Sequence, residues 1–348
     1  MLEQYQIEQQ ISHKAGRSTY IARDSKTNEQ VVIKILEFND LFDWDDLKLF
    51  EREAKTLQNL NHIHIPNYLD YFEINEGFAL VQTYIHAPSL ADLIQQGIKF
   101  SEAEIIELAR KILDILNYLH KLNPPVIHRD IKPSNILLTN RSGNSIGDVY
   151  LVDFGSVQTV AKKEAGTITI VGSYGYIPLE QFMGQTTFAS DLYSLGMTLI
   201  YLVSGIHPAD LTQGSGKVKF DKSHISLGFA LWLDTLTEPY IEKRYASAEK
   251  ALHALHSEGH NYQANKLLSN CASADLLSIS PDNQALEIIY ENSRIDTGIG
   301  CLLGLGVFPP AYIFLSVILG NGFHFVFLSF LISYILWLWG SAIFPPEP

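Results

Sequence analysis

His128-Arg129-Asp130 with Lys132 and Asn135 behind it, and Asp153-Phe154-Gly155 one hairpin's length of chain further on, gather two carboxylates, a carboxamide and an ammonium into one short stretch. Carboxylates and carboxamides suit hard, oxygen-seeking cations, and an ammonium suits an anionic transition state. The chemistry that uses this set together is phosphoryl transfer. Asp130 would accept the proton of an attacking hydroxyl, Asn135 and Asp153 would hold magnesium, and Lys132 would neutralise charge building on the group in flight. Either tripeptide alone is a weak signal. Their order, and the apolar strand-like runs beside them, give them force.

These groups need elements to carry them. Residues 31–36 (Val-Val-Ile-Lys-Ile-Leu) read as a buried strand with one charge in it, which is costly unless the ammonium of Lys34 finds anionic partners. Residues 50–57 have the apolar spacing of a helix and offer Glu53 for that role, with Glu51 as a near competitor. The coarse order is strands to about Leu36, a helix around Leu47 to Leu60, strands to Tyr84, then mostly helices.

From about Tyr5 to Leu255 the sequence resembles the eukaryotic-like Ser/Thr protein kinases. Lys132, two positions after Asp130, resembles their Ser/Thr branch, and the wording from Tyr174 to Gln181 resembles bacterial members. The resemblance implies an α+β, two-lobed protein kinase fold: a small β-rich N-lobe at 1–85 and a mostly helical C-lobe at 86–257. It implies that Lys34 holds nucleotide phosphates, that Glu53 holds Lys34, that Ala22 lies over the nucleotide, and that backbone groups of Thr83 and Ile85 meet adenine. Glu180 is expected to pair with Arg244, because a buried carboxylate of this kind needs a bidentate cation. Asp191 is expected to accept bonds from the catalytic-loop backbone; the plainer reading is an N-terminal helix cap after Ser190, and the two are compatible. Arg129 is expected to meet a phosphate on Thr167 or Thr169, which would order the segment before Glu180. ATP with Mg2+, or Mn2+, follows as cofactor. Ser/Thr hydroxyls of proteins follow as acceptors, with the chain itself among them and a homodimer for trans-autophosphorylation.

One region departs from the family. Aligning Tyr20 and Ala22 places Ser12, Lys14 and Arg17 at the three positions where the phosphate-covering loop usually has glycine, and Gly16 alone remains nearby. Glycine matters there because backbone must approach phosphate closely. Either Lys14 and Arg17 supply charge in place of backbone contacts, or the loop is spoiled and the domain is a pseudokinase serving as a membrane-bound binding or scaffold module. A small-molecule phosphotransferase is a third reading, opposed by the Gly172–Glu180 segment that serves peptide docking in the family.

Composition bounds the rest. The chain has 348 residues, 47% apolar content and a net charge of −13, which is ample for a core and argues against a nucleic-acid partner. Acidic residues at Glu37, Asp40, Asp43, Asp45 and Asp46 read as a solvated insertion. Cys271 and Cys301 imply no disulfide framework, and His62 with His64 lacks the further ligands a zinc site needs. Met1–Gln10 holds no apolar segment, which points to a cytoplasmic kinase domain. A linker at 258–297, with a short β-hairpin, leads to two runs free of Lys, Arg, Asp and Glu, Gly298–Leu319 and Phe323–Ile343. Each is long enough to span a bilayer, so 298–344 is expected to form a transmembrane helical hairpin that places the chain at a membrane with two spans.

Overall fold

A computed structural model describes residues 2–14, 16–38, 42–143, 145–159, 172–211 and 216–256. The chain divides into two compact units, Met1–Asp275 and Leu276–Pro348, and every described residue lies in the first. Among the described residues no helix is long and apolar enough to cross a membrane. The linker, its hairpin and the two apolar runs expected from 258 onward lie outside them.

Five antiparallel strands make the first lobe: β1 (Tyr5–Lys14), β2 (Arg17–Asp24), β3 (Gln30–Glu37), β4 (Tyr68–Ile74) and β5 (Gly77–Thr83), in the order β1-β2-β3-β5-β4. Helix α1 (Trp44–Asn59) enters between β3 and β4. The central position of β3 explains its apolar run. Val31, Ile33 and Ile35 pack with Tyr5, Ala22, Phe72, Ala79 and Val81 in one cluster, while Leu36 joins Leu80 and the α1 residues Phe50, Ala54 and Leu57 in the main core. Those three recur at helical spacing, so α1 buries one stripe. Its start is set by Asp43, whose side chain accepts from the Asp45 amide (3.0 Å), and by Asp45 and Asp46 in the first turn, where the helix dipole favours negative charge. The acidic stretch expected to be a solvated insertion is therefore partly a helix start.

The second lobe is helical: α2 (Leu90–Gln95) and α3 (Glu102–His120) come first, each opened by a serine capping box. Four short strands follow, β6 (Val126–Ile127), β7 (Ile136–Thr139), β8 (Asp148–Leu151) and β9 (Gln158–Thr159). Then come α4 (Leu179–Phe182), α5 (Phe188–Ser204), α6 (Pro208–Leu211), α7 (Leu227–Leu236) and α8 (248–256). Helix α5 is buried from Ala189 to Ile200 and is the lobe's central rod; its exit at Gly205 takes φ 69°, a left-handed cap that glycine supplies without strain. The β strands position the chemistry. β7 pairs antiparallel with β8, Ile136 opposite Leu151, and the Val152 amide donates to the Asn135 carbonyl (2.9 Å), which brings Asp153 beside Asn135.

Candidate active site

Lys34 projects from β3 and finds two carboxylates. Its Nζ donates to Glu53 Oε1 (2.5 Å) on α1 and to Asp153 Oδ1 (2.7 Å) from the second lobe. Glu51, the competitor, faces Lys55 at 3.8 Å. Burial alone would push the Lys34 ammonium down, but the carboxylates of Asp153 and Glu53 outweigh it and hold it above its ordinary value. Asp153 is held well below the usual carboxylate range, chiefly by the charge of Lys34. Both groups are thus ionised at neutral pH. Gly155 lies against this pair: a Cβ there would stand 3.1 Å from Glu53 Oε2, a tight approach, and 3.4 Å from Asp153 Oδ1, about van der Waals contact.

Asp130 is the hub of the second cluster. Its Oδ2 accepts from Lys132 Nζ (2.7 Å) and Asn135 Nδ2 (3.1 Å), and its Oδ1 accepts from the Ser173 hydroxyl (3.1 Å). Lys132 Nζ also donates to Ser173 Oγ (2.6 Å), closing a ring of three side chains. Asn135 Nδ2 donates further to the Asp130 carbonyl (2.8 Å), which consumes the amide nitrogen and turns the carboxamide oxygen to other use. That oxygen and the Asp153 carboxylate are a hard donor pair of the kind magnesium takes, so the residues fit the metal that the motif implies.

Behind the loop stands Asp191 on α5, 0% exposed. It accepts from the backbone amides of His128 (2.9 Å) and Arg129 (2.8 Å), and its Oδ2 lies 3.0 Å from His120 Nε2. Burial would raise this carboxyl, but the hydrogen bonds from His120 and the Arg129 amide hold it below its ordinary value. The loop needs such a hold because Arg129 adopts φ 68°, a left-handed position that costs energy for a residue with a Cβ; Asp153, held by Lys34 instead, takes φ 67°. Glu180 on α4 meets Arg244 in two bonds, 2.7 and 3.2 Å. Gln181 beside it donates to the Arg129 carbonyl (2.8 Å), so this pair and the catalytic loop are mechanically joined.

The other expected residues are placed as follows. Arg17 stands at the start of β2, but its guanidinium donates to the carbonyl and to Oδ1 of Asp46, both at 2.9 Å, because its side chain faces the first turn of α1. Ser12 is exposed on β1, and Lys14 ends that strand opposite Arg17. Gly16 makes the turn at φ 75° and its carbonyl accepts from the Glu37 amide (2.8 Å). Ala22 is fully buried in β2. The Thr83 amide donates to the Asn67 carbonyl (3.0 Å), and the Ile85 carbonyl accepts from Ala87 (2.9 Å). Arg129 donates to the Ser156 carbonyl (2.7 Å) and Gln158 Oε1 (3.1 Å). Burial, helped by neighbouring Arg52, brings its guanidinium down to about 10. Thr167 and Thr169 lie outside the described residues. Ser173, His120 and Gln181 had no sequence-level assignment. Ser173 could have been suspected from its place at the head of the Gly172–Glu180 segment, whereas His120 and Gln181 carry no spacing signal at all.

A β-rich lobe whose lysine reaches an acidic residue of a helical lobe, above an Asp-Lys-Asn loop, is the arrangement of a protein kinase domain. The protein kinase domain family matches residues 5–276, and the chain belongs to that family. It is similar to serine/threonine-protein kinase B of Synechocystis sp., 34% identical over 222 residues covering 60% of this chain and 38% of the relative. It is likewise similar to serine/threonine-protein kinase PknA of Nostoc sp., 34% identical over 255 residues covering 68% of this chain and 44% of that protein. Serine/threonine-protein kinase PrkC of Bacillus subtilis is 29% identical over 223 residues, 64% of this chain and 33% of that protein. The chain thus spans less than half the length of each of these relatives.

Proposed function

We propose that the chain is a serine/threonine protein kinase that transfers the γ-phosphoryl group of ATP to protein hydroxyls, its own included, and that the apolar runs at 298–344 hold it on the cytoplasmic face of a bilayer. The observation that carries the reading is the pair of bonds from Lys34 to Glu53 and Asp153, beside the Asp130 ring. Magnesium, held by Asn135 and Asp153, would supply charge neutralisation at the phosphates. Lys34, kept ionised by its two partners, offers its ammonium to phosphate oxygens. Asp130 orients the acceptor hydroxyl and takes its proton as the new O–P bond forms and the bridging bond to ADP breaks, while Lys132 faces the charge that collects there. The names of the similar proteins agree with this activity.

Full-length protein incubated with magnesium and γ-labelled ATP should label itself or an added protein. Asp130→Asn should remove at least about a hundredfold of that rate while nucleotide binding persists. A second reading, a pseudokinase module, is favoured by Arg17 being engaged by Asp46 where the family keeps glycine. It wins if the wild type neither labels any acceptor nor binds magnesium-ATP. Membrane attachment is tested separately, by whether residues 1–256 leave the membrane fraction that the full chain enters.

A further inference from the structure

The β1–β2 hairpin is tied to α1 by its own side chains. Arg17 Nη2 reaches the Asp46 carbonyl and Oδ1, each at 2.9 Å, and the two side chains keep only 31% and 38% exposure. Arg17 Nε is buried and without a hydrogen-bond partner among the described residues, so the guanidinium is turned inward. The hairpin is fixed to β3 as well: the Glu37 amide donates to the Gly16 carbonyl (2.8 Å), the Ser18 hydroxyl donates to Glu37 Oε1 (3.4 Å), and His13 Nδ1 lies 2.9 Å from Ser18 Oγ. Asp46 sits in the first turn of α1 and Glu53 seven residues on, about 10 Å along the axis at the rise of an α-helix. Phe50, Ala54 and Leu57 pack the middle of α1 into the core beside Glu53, and none of them reaches its first turn. The bonds from Arg17 to Asp46 fix that first turn, about 10 Å from Glu53, and so limit the tilt of the helix about its packed middle.

We infer that Arg17 is a positioning residue, which clamps the start of α1 through Asp46 and so keeps Glu53 on Lys34, and that it does not act on phosphate itself. The clamp gives this hairpin, short of glycine, a fixed relation to the helix whose carboxylate sets Lys34. The inference rests on the kinase reading above.

The two roles for Arg17 separate at Asp46. As a clamp, Arg17→Ala in the full chain lowers kcat/KM for ATP by about fivefold, Asp46→Ala lowers it by less because the bond to the Asp46 carbonyl stays, and the double variant is no worse than Arg17→Ala. The reversed pair, Arg17→Asp with Asp46→Arg, regains most of the loss. The melting temperature moves by less than about 3 °C throughout, since a half-exposed pair contributes about 1 kcal/mol or less to stability. The inference is overturned if Asp46→Ala leaves nucleotide affinity unchanged or tightens it while Arg17→Ala weakens it, which would place Arg17 on the phosphates. It is overturned equally if both single variants keep wild-type kcat/KM. A wild-type chain that neither binds nor turns over magnesium-ATP removes the kinase reading and the inference together.

Discussion

Replacing Glu180 by Gln should lower the melting temperature of the protein by about 6–12 °C. The Arg244 side chain is 0% exposed and that of Glu180 5%, and the two bonds between them are joined by a third from the Ser190 hydroxyl to Glu180 Oε1 (2.8 Å). A carboxamide fills the same space but leaves the guanidinium charge with neutral acceptors only, the carbonyls of Glu238, Pro239 and Ala189. Removing one partner of a buried pair costs about 3–5 kcal/mol, and three remaining acceptors put this case at the low end, about 3 kcal/mol. At about 2–4 °C per kcal/mol for a domain of this size, the shift follows. Near-ultraviolet circular dichroism during heating would read it, with Arg244→Lys as a companion of the same sign and smaller size, because an ammonium keeps the charge and loses the fork. A shift below about 2 °C in Glu180→Gln would refute the reasoning and mean that the carbonyls alone satisfy Arg244.

Ser173→Ala opens the ring that holds Asp130 and Lys132, and should lower kcat by about ten- to a hundredfold with the KM for ATP little changed, while Ser173→Thr restores the rate; steady-state assays on a peptide acceptor decide it. Stability should also depend on acidity through His128, whose imidazole is pushed below its ordinary value by burial. The folded form resists protonation that the unfolded chain accepts, so its contribution is complete above about pH 6.5 and is lost as pH falls through the window below. The urea midpoint should therefore drop between pH 7 and pH 5.5, and His128→Phe should flatten that slope. Below about pH 4 a further loss should appear, because the unfolded chain takes up a proton on this carboxyl while folded Asp153, held down by Lys34, does not.

Much of the chemistry was legible because it depends on residue type at short spacing. His128 to Asn135 is one loop, Asp153 follows by one hairpin, and a lone lysine in an apolar strand demands a carboxylate whatever the fold around it. Periodicity likewise placed α1 and the strands on either side of it, since the stripe Phe50, Ala54, Leu57 and the run Val31–Leu36 have distinct repeats. What sequence could not decide was which charges meet across the fold. Arg17 read as charge for phosphate or as part of a spoiled loop and in the fold faces α1, and Glu51 competed with Glu53, because a side chain's partner is set by the direction its strand or helix presents, which antiparallel register and helix packing determine. Ser173 joined Asp130 from 43 residues away, and His120 met Asp191 across 71, contacts that no local pattern encodes. The amino-acid sequence by itself determined the reagents; only the tertiary structure, by fixing the geometry between distant segments, decided which of them act together.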